Sequence, residues 1–127
     1  MAKAKKSIPF NFVLENLYSL DPMVRPMFGS HAVYVENKIV LVLRDKDDYD
    51  SGVWIATSKE HHESLKKEFP KMHSITIWGP GVSGWQVLSQ EDDGFEESVN
   101  RACELILKKD PRIGKVPKPR KKKVRSP

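Results

Sequence analysis

Cysteine occurs once in the 127 residues, at Cys103, so the chain can form no internal disulfide and suits a reducing compartment. Long apolar runs are missing too. No stretch approaches the roughly eighteen apolar residues of a membrane span, and the N-terminus carries Lys3, Lys5 and Lys6 without the apolar run of a signal peptide. These absences predict a cytoplasmic protein that does not enter a membrane. Catalytic signatures are equally scarce: there is no G-x-S-x-G elbow, no H-x-x-x-H pair and no second thiol, and no carboxylate pair is set across a cleft by spacing alone. The expectation is a protein with no enzymatic chemistry, no cofactor and no metal. Internal repeats are also absent.

Acids are missing from one region in particular. Pro111 to Pro127 hold eight Lys and Arg and four prolines without a single Asp or Glu. The whole chain has 22 basic and 17 acidic residues; setting the eight tail charges aside leaves 14 against 17, and setting Lys3, Lys5 and Lys6 aside as well leaves 11 against 17. The formal net charge of +5 therefore conceals a body, residues 7 to 110, of net −6 between two basic arms. A polyanionic partner would be engaged through the arms.

What is present is enough for one domain with a modest core. Phe10, Val13, Leu14 and Leu17 recur at helical spacing, predicting a first helix over residues 8 to 19 that Asp21-Pro22 ends. Pro22 and Pro26 predict an irregular connection over residues 23 to 30, with Gly29 free to take an unusual backbone angle. Ala32 to Val35 and Ile39 to Leu43 flank the turn Glu36-Asn37-Lys38 as a hairpin, and the continuous apolar run of the second arm marks a central strand. Gly52 to Ala56 is a third strand. Thr57-Ser58-Lys59-Glu60 has the form of a capping box opening a helix from Ser58 to about Glu68, stopped by Pro70. His73 to Trp78 alternates as a half-buried strand that Trp85 to Leu88 should pair with. Ser89 is placed to cap a last helix with a buried stripe of Phe95, Val99, Ala102, Cys103 and Ile106. The order α-β-β-β-α-β-β-α predicts a two-layer α+β domain: an antiparallel sheet of about five strands with helices packed on it.

Several constellations invite a chemical reading and support a plainer one. Gly79-Pro80-Gly81-Val82-Ser83-Gly84 matches G-x-G-x-x-G, but a strand follows it where dinucleotide binding needs a helix N-terminus, and Pro80 lacks an amide, so a hairpin loop is expected. Asp45, Asp47, Asp48 and Asp50 crowd one loop. Counting from Asp47 puts Ser58 where a calcium loop needs a bidentate Glu, so this reads as a solvated acidic loop that any bound polyanion would face away from. His61 and His62 are neighbours on a helix and point about 100° apart, which does not converge on a metal. Cys103, on an apolar face, reads as core. Trp54, Trp78 and Trp85 fall on strands, where core packing outweighs base stacking.

The tail remains. Arg112, Lys115, Lys118, Arg120, Lys121, Lys122, Lys123 and Arg125 lie close enough to contact several phosphates and release their counterions, a sequence-independent and salt-sensitive attraction. The same composition describes a solubilising end that binds nothing in particular. Two other readings stand beside nucleic-acid binding: a protein-interaction surface built from Met27, Phe28, Gly79, Gly81 and Gly84, and a small-molecule pocket between helices and sheet.

Longer motifs carry a resemblance. Val24-Arg25-Pro26-Met27-Phe28-Gly29, followed by the hairpin from Val33 to Leu43, resembles the N-terminal domain of the TfoX competence regulators. Gly52 to Thr57, Gly84 to Leu88, Ala102 to Leu107 and Asp110 to Pro117 are similar to the MmcQ/YjbR group, so that together the likeness spans roughly residues 24 to 117. It implies a compact α+β domain with a curved antiparallel sheet. The YjbR group has been described as DNA-binding on fold grounds, and TfoX-like proteins are regulators without known enzymatic chemistry; neither supplies a catalytic or metal set to carry over. With it, the chain divides into a flexible basic N-terminus (residues 1–7), one domain (8–117) and a disordered basic tail (118–127), because the likeness reaches Pro117 and Ile113 can anchor the segment before it.

Overall fold

A computed structural model describes residues 8–27, 29–76 and 84–116. Its centre is the β-branched run of the sequence. Ser30–Val35 (β2) and Lys38–Arg44 (β3) form the predicted hairpin, and β3 is buried along its length except at Lys38, as its unbroken apolar run requires. The chain turns between them with Glu36 in the left-handed region. Pairing slips between Val33 and Tyr34, where Val40 is the extra residue; this bulge lets Val40 and Leu41 both turn toward the helices while Ile39 turns away.

The strand count departs from expectation at Met23–Met27. Pro22 and Pro26 predict an irregular link, yet these five residues form a strand, β1, antiparallel to β2. Pro26 is tolerated because it pairs with His31 at a position where a missing N–H faces away from β2; Arg25 and Met27 on either side supply the ladder bonds. Gly52–Ile55 (β4), His73–Ser74 (β5) and Gln86–Ser89 (β6) complete an antiparallel sheet of six strands among the described residues, in the order β1-β2-β3-β4-β6-β5. Of the predicted strand from His73 to Trp78, His73 and Ser74 are regular strand and Ile75 and Thr76 are not; Ile77 and Trp78 lie outside the described residues.

At Gly52, φ is +143°, and a Cβ there would lie 2.1 Å from the Leu88 carbonyl oxygen, so only glycine lets β4 lie this close to β6.

The helices are shorter than their patterns suggested, each for a local reason. Phe12–Asn16 (α1) begins late because Phe10 takes a positive φ of 55°, and a 3-10 turn over Tyr18–Leu20 precedes Asp21, also left-handed. The capping box at Thr57 does not form: Thr57 is buried and bonds elsewhere, and a 3-10 turn over Lys59–His61 leads into His62–Glu68 (α2). Ser89 does not cap the last helix either. It is still paired with Gly52 in the sheet, its hydroxyl accepts the Glu91 amide in a turn, and Phe95–Leu107 (α3) starts six residues later. The predicted stripe of α3 is buried at Val99, Ala102, Cys103 and Ile106.

All three helices cover one face of the sheet. Val13 and Leu17, Leu65 and Phe69, and the α3 stripe meet Val33, Leu41, Leu43, Val53, Ile55 and Leu88 in one continuous core. Ala32, Val42, Trp54 and Val87 form a smaller apolar cluster on the opposite face, with Ile75 beside them. Ile113 is buried with the helix-side core, so the fold continues past α3 to this residue. Among the described residues no helix is long and apolar enough to cross a membrane.

Candidate functional site

The basic segment enters the domain as a component of the fold. After α3, Asp110 and Arg112 make a turn, Gly114 N–H donates to the Ala56 carbonyl at 2.7 Å, and Lys115 exchanges two backbone hydrogen bonds with Ile39 at 2.9 and 3.0 Å. Lys115 is thereby pinned beside the first residues of β3. Pro117 and the residues after it lie outside the described ones, and with them Lys118, Arg120, Lys121, Lys122, Lys123 and Arg125.

Arg112, the first residue expected to meet phosphate, is otherwise engaged. Its guanidinium donates to Asp110 at 2.8 and 3.0 Å, to Glu68 at 3.3 Å and to the Ser64 hydroxyl at 2.6 Å, and its side chain is only 19% exposed. These contacts act on the acids as well: Arg112 holds the Asp110 carboxyl below the ordinary range, and Arg101 followed by Arg112 does the same for Glu68. An arginine already neutralised by two carboxylates has little left to offer a polyanion. It belongs to the fold, fastening the segment after α3 to α2.

Lys115 keeps its charge free. It is exposed and makes no ion pair among the described residues, and the same holds for Lys38 at the start of β3. The carboxylates on the flanking segments are occupied, Glu36 by Lys109 at 3.2 Å and Asp110 by Arg112. Lys38 was given no role by the sequence, where it reads as one residue of a turn. Its position becomes visible only once Ile39 is known to pair with Lys115.

The acidic loop sits at the other end of β3. Lys38 opens that strand and Arg44 closes it, so at about 3.4 Å per residue the two ends are about 20 Å apart. The loop is less solvated than expected. Asp45 and Asp47 are exposed, but Asp48 is held by Arg44, which lowers its pKa, and Asp50 is fully buried. The Asp50 carboxylate accepts the Thr76 amide at 2.8 Å and its hydroxyl at 3.1 Å, and the Asp50 carbonyl accepts the Trp54 indole N–H at 2.8 Å. Burial of a carboxylate demands such partners, and four aspartates in one loop gave no sign of which would be buried. Trp54 is consequently a core side chain, set edge-on to Trp85 at 5.9 Å. Trp78 lies outside the described residues.

Met27 and Gly84, the described members of the expected protein-interaction surface, do not form one surface. Met27 pairs with Ser30 level with the Arg44 end of the sheet, whereas Gly84 lies beyond Gln86 at the Ile39 end and four strands away. Phe28, Gly79 and Gly81 lie outside the described residues. Two grooves mark the helix side and the acidic end: one of about 320 Å³ bounded by Phe69, Met72, Phe95 and Arg101, and one of about 500 Å³ where Tyr49 stacks on His73 at 4.2 Å beside Asp47, Glu91 and Asp92. Among the described residues no group of three or more His, Cys, Asp or Glu side chains is placed to hold a metal ion. His61 lies 3.4 Å from Glu60 and His62 faces the Gly84 carbonyl at 3.3 Å, so the two rings diverge. Cys103 is buried in the helix-side core, which pushes its thiol up to about 11.

No family model, curated protein or solved structure matches this chain.

Proposed function

We propose that the protein is a small binding or regulatory protein without enzymatic chemistry that associates with nucleic acid through the arm of residues 118–125, whose six Lys and Arg are Lys118, Arg120, Lys121, Lys122, Lys123 and Arg125. One observation carries this reading: Lys115, among the last described residues before the arm, is pinned beside Ile39, about 20 Å along β3 from the exposed acids Asp45 and Asp47. A phosphate backbone drawn to the arm would meet the end of the body where flanking carboxylates are already paired, with the repulsive loop turned away. The likeness to the YjbR group points the same way.

The test is a titration of duplex and single-stranded DNA at two salt concentrations, with the full chain and with a chain ending at Pro117. Truncation belongs there and not at Arg112, because Ile113 is core and the Lys115 backbone completes the pairing with Ile39. Binding at low salt should fall steeply with added salt, with a logarithmic slope approaching about −5 if all six arm charges meet phosphate, and should weaken strongly on truncation. Absence of binding by the full chain at low salt, or equal binding by the shortened one, would refute the proposal.

A further inference from the structure

We propose that the body itself supplies two phosphate contacts, through Lys38 and Lys115, which form a fixed basic collar around the root of the arm; this rests on the nucleic-acid reading above and extends it from the arm to the domain. The two lysines are not ordinary surface lysines. Each runs close over a glycine backbone: a Cβ on Gly114 would stand 3.1 Å from Cδ of Lys38, a tight contact, and a Cβ on Gly84 would stand 3.5 Å from Nζ of Lys115, at ordinary van der Waals distance. Both glycine backbones are themselves engaged, Gly114 N–H by the Ala56 carbonyl at 2.7 Å and the Gly84 carbonyl by the His62 ring at 3.3 Å.

The consequence is preorganisation. A free lysine gives up rotamer freedom when it grips a phosphate, and one whose stem or head already rests on a rigid backbone gives up less. Both ammonium groups are also uncompensated. Neither has a carboxylate partner among the described residues, while neighbouring Lys109 and Arg112 are spent on Glu36, Asp110 and Glu68. Pairing of Ile39 with Lys115 brings Lys38, the residue before Ile39, beside the last described residues of the basic segment. A phosphodiester backbone following the arm inward therefore reaches two more cations before it meets the body's negative charge, and the domain acquires a defined orientation on the polymer in place of a loose tether.

The experiment compares salt slopes for a short duplex among five proteins: the unaltered full chain, full-length Lys38→Gln/Lys115→Gln, full-length Lys66→Gln/Lys67→Gln as a control that removes the same charge from exposed positions on α2, the chain ending at Pro117, and that shortened chain with the Lys38 and Lys115 substitutions. The collar variant should lose about two units of slope, from about −0.9 per phosphate contact, while the α2 control keeps the parent slope. The chain ending at Pro117 should retain weak binding with a slope near −2, and adding the collar substitutions to it should abolish that remainder. Equal slopes for the collar and control variants overturn the collar but leave the arm standing. Unchanged binding on truncation overturns the arm, and no binding by the full chain at low salt overturns both.

Discussion

Thr57 donates its hydroxyl to the Arg112 carbonyl at 2.6 Å, tying the residue just past β4 to one 55 positions later in the chain. Thr57→Val keeps the shape and removes this bond, leaving a carbonyl short of its donor. The expected loss is about 1–2 kcal/mol. A lower urea midpoint at unchanged denaturant dependence would measure it.

The Arg112 contacts make stability depend on acid pH. Asp110 and Glu68 have folded-state pKa values below their ordinary 3.8 and 4.5, so their stabilisation is complete above those values and is lost as pH falls through the lowered ones. Stability should therefore decline as pH falls below about 4.5. In Arg112→Gln the Asp110 share of that decline should shrink, since the guanidinium is its largest cause while the residue 112 amide still donates to the carboxylate, and the Glu68 share held by Arg101 should remain; urea midpoints across the range would show a shallower slope for the variant.

Gly52→Ala should be among the most damaging single-methyl additions to this chain. Its Cβ would press on the Leu88 carbonyl at 2.1 Å, and backbone at φ +143° offers no relaxed alternative. Separation of β4 from β6 is the expected response, at a cost of about 3 kcal/mol or loss of the fold. Thermal melting of the soluble fraction would register either result, and a melting temperature within a degree of the parent would contradict it.

Cys103 should be silent to thiol reagents in the native protein. With its pKa pushed up to about 11 by burial, almost no thiolate exists at pH 8, and the sulfur lies in the helix-side core. A disulfide-exchange dye should label it only when denaturant is added, at the rate of unfolding.

Among the described residues sequence periodicity located every α-helix and all strands but one, because burial alternates visibly wherever one face of an element meets the core. The strand it missed is β1, where the proline rule against regular structure holds for central positions and not for a sheet edge. Helix starts were misplaced at Thr57 and Ser89 because a hydroxyl that can cap a helix can also serve a distant partner: Thr57 turns to Arg112, and Ser89 remains in β6. The functional reading shows the same division. That the terminal segment is basic is a matter of composition. That Arg112 is withdrawn from it, and that Lys38 joins it, depends on pairings 44 to 76 residues apart, such as Arg112 with Glu68 and Ile39 with Lys115, which no local pattern encodes.

Pro26 and Asp50, met above as a misread signal and a buried acid, share a consequence for how this protein behaves when crowded. At the β1 edge the outward-facing positions are Val24 and Pro26, with Pro22 two residues before, so Val24 alone can offer an N–H to an incoming strand. At the opposite edge the regular strand is two residues long, His73–Ser74; just past it Ile75 donates to Trp85 and the Thr76 amide is taken by the Asp50 carboxylate. Among the described residues both margins of the sheet are thus poor templates for another chain. A six-stranded sheet with open ends is an aggregation hazard unless its edges are blunted, and here an imino acid interrupts one side, while on the other the strand is short and a carboxylate takes the amide that follows it.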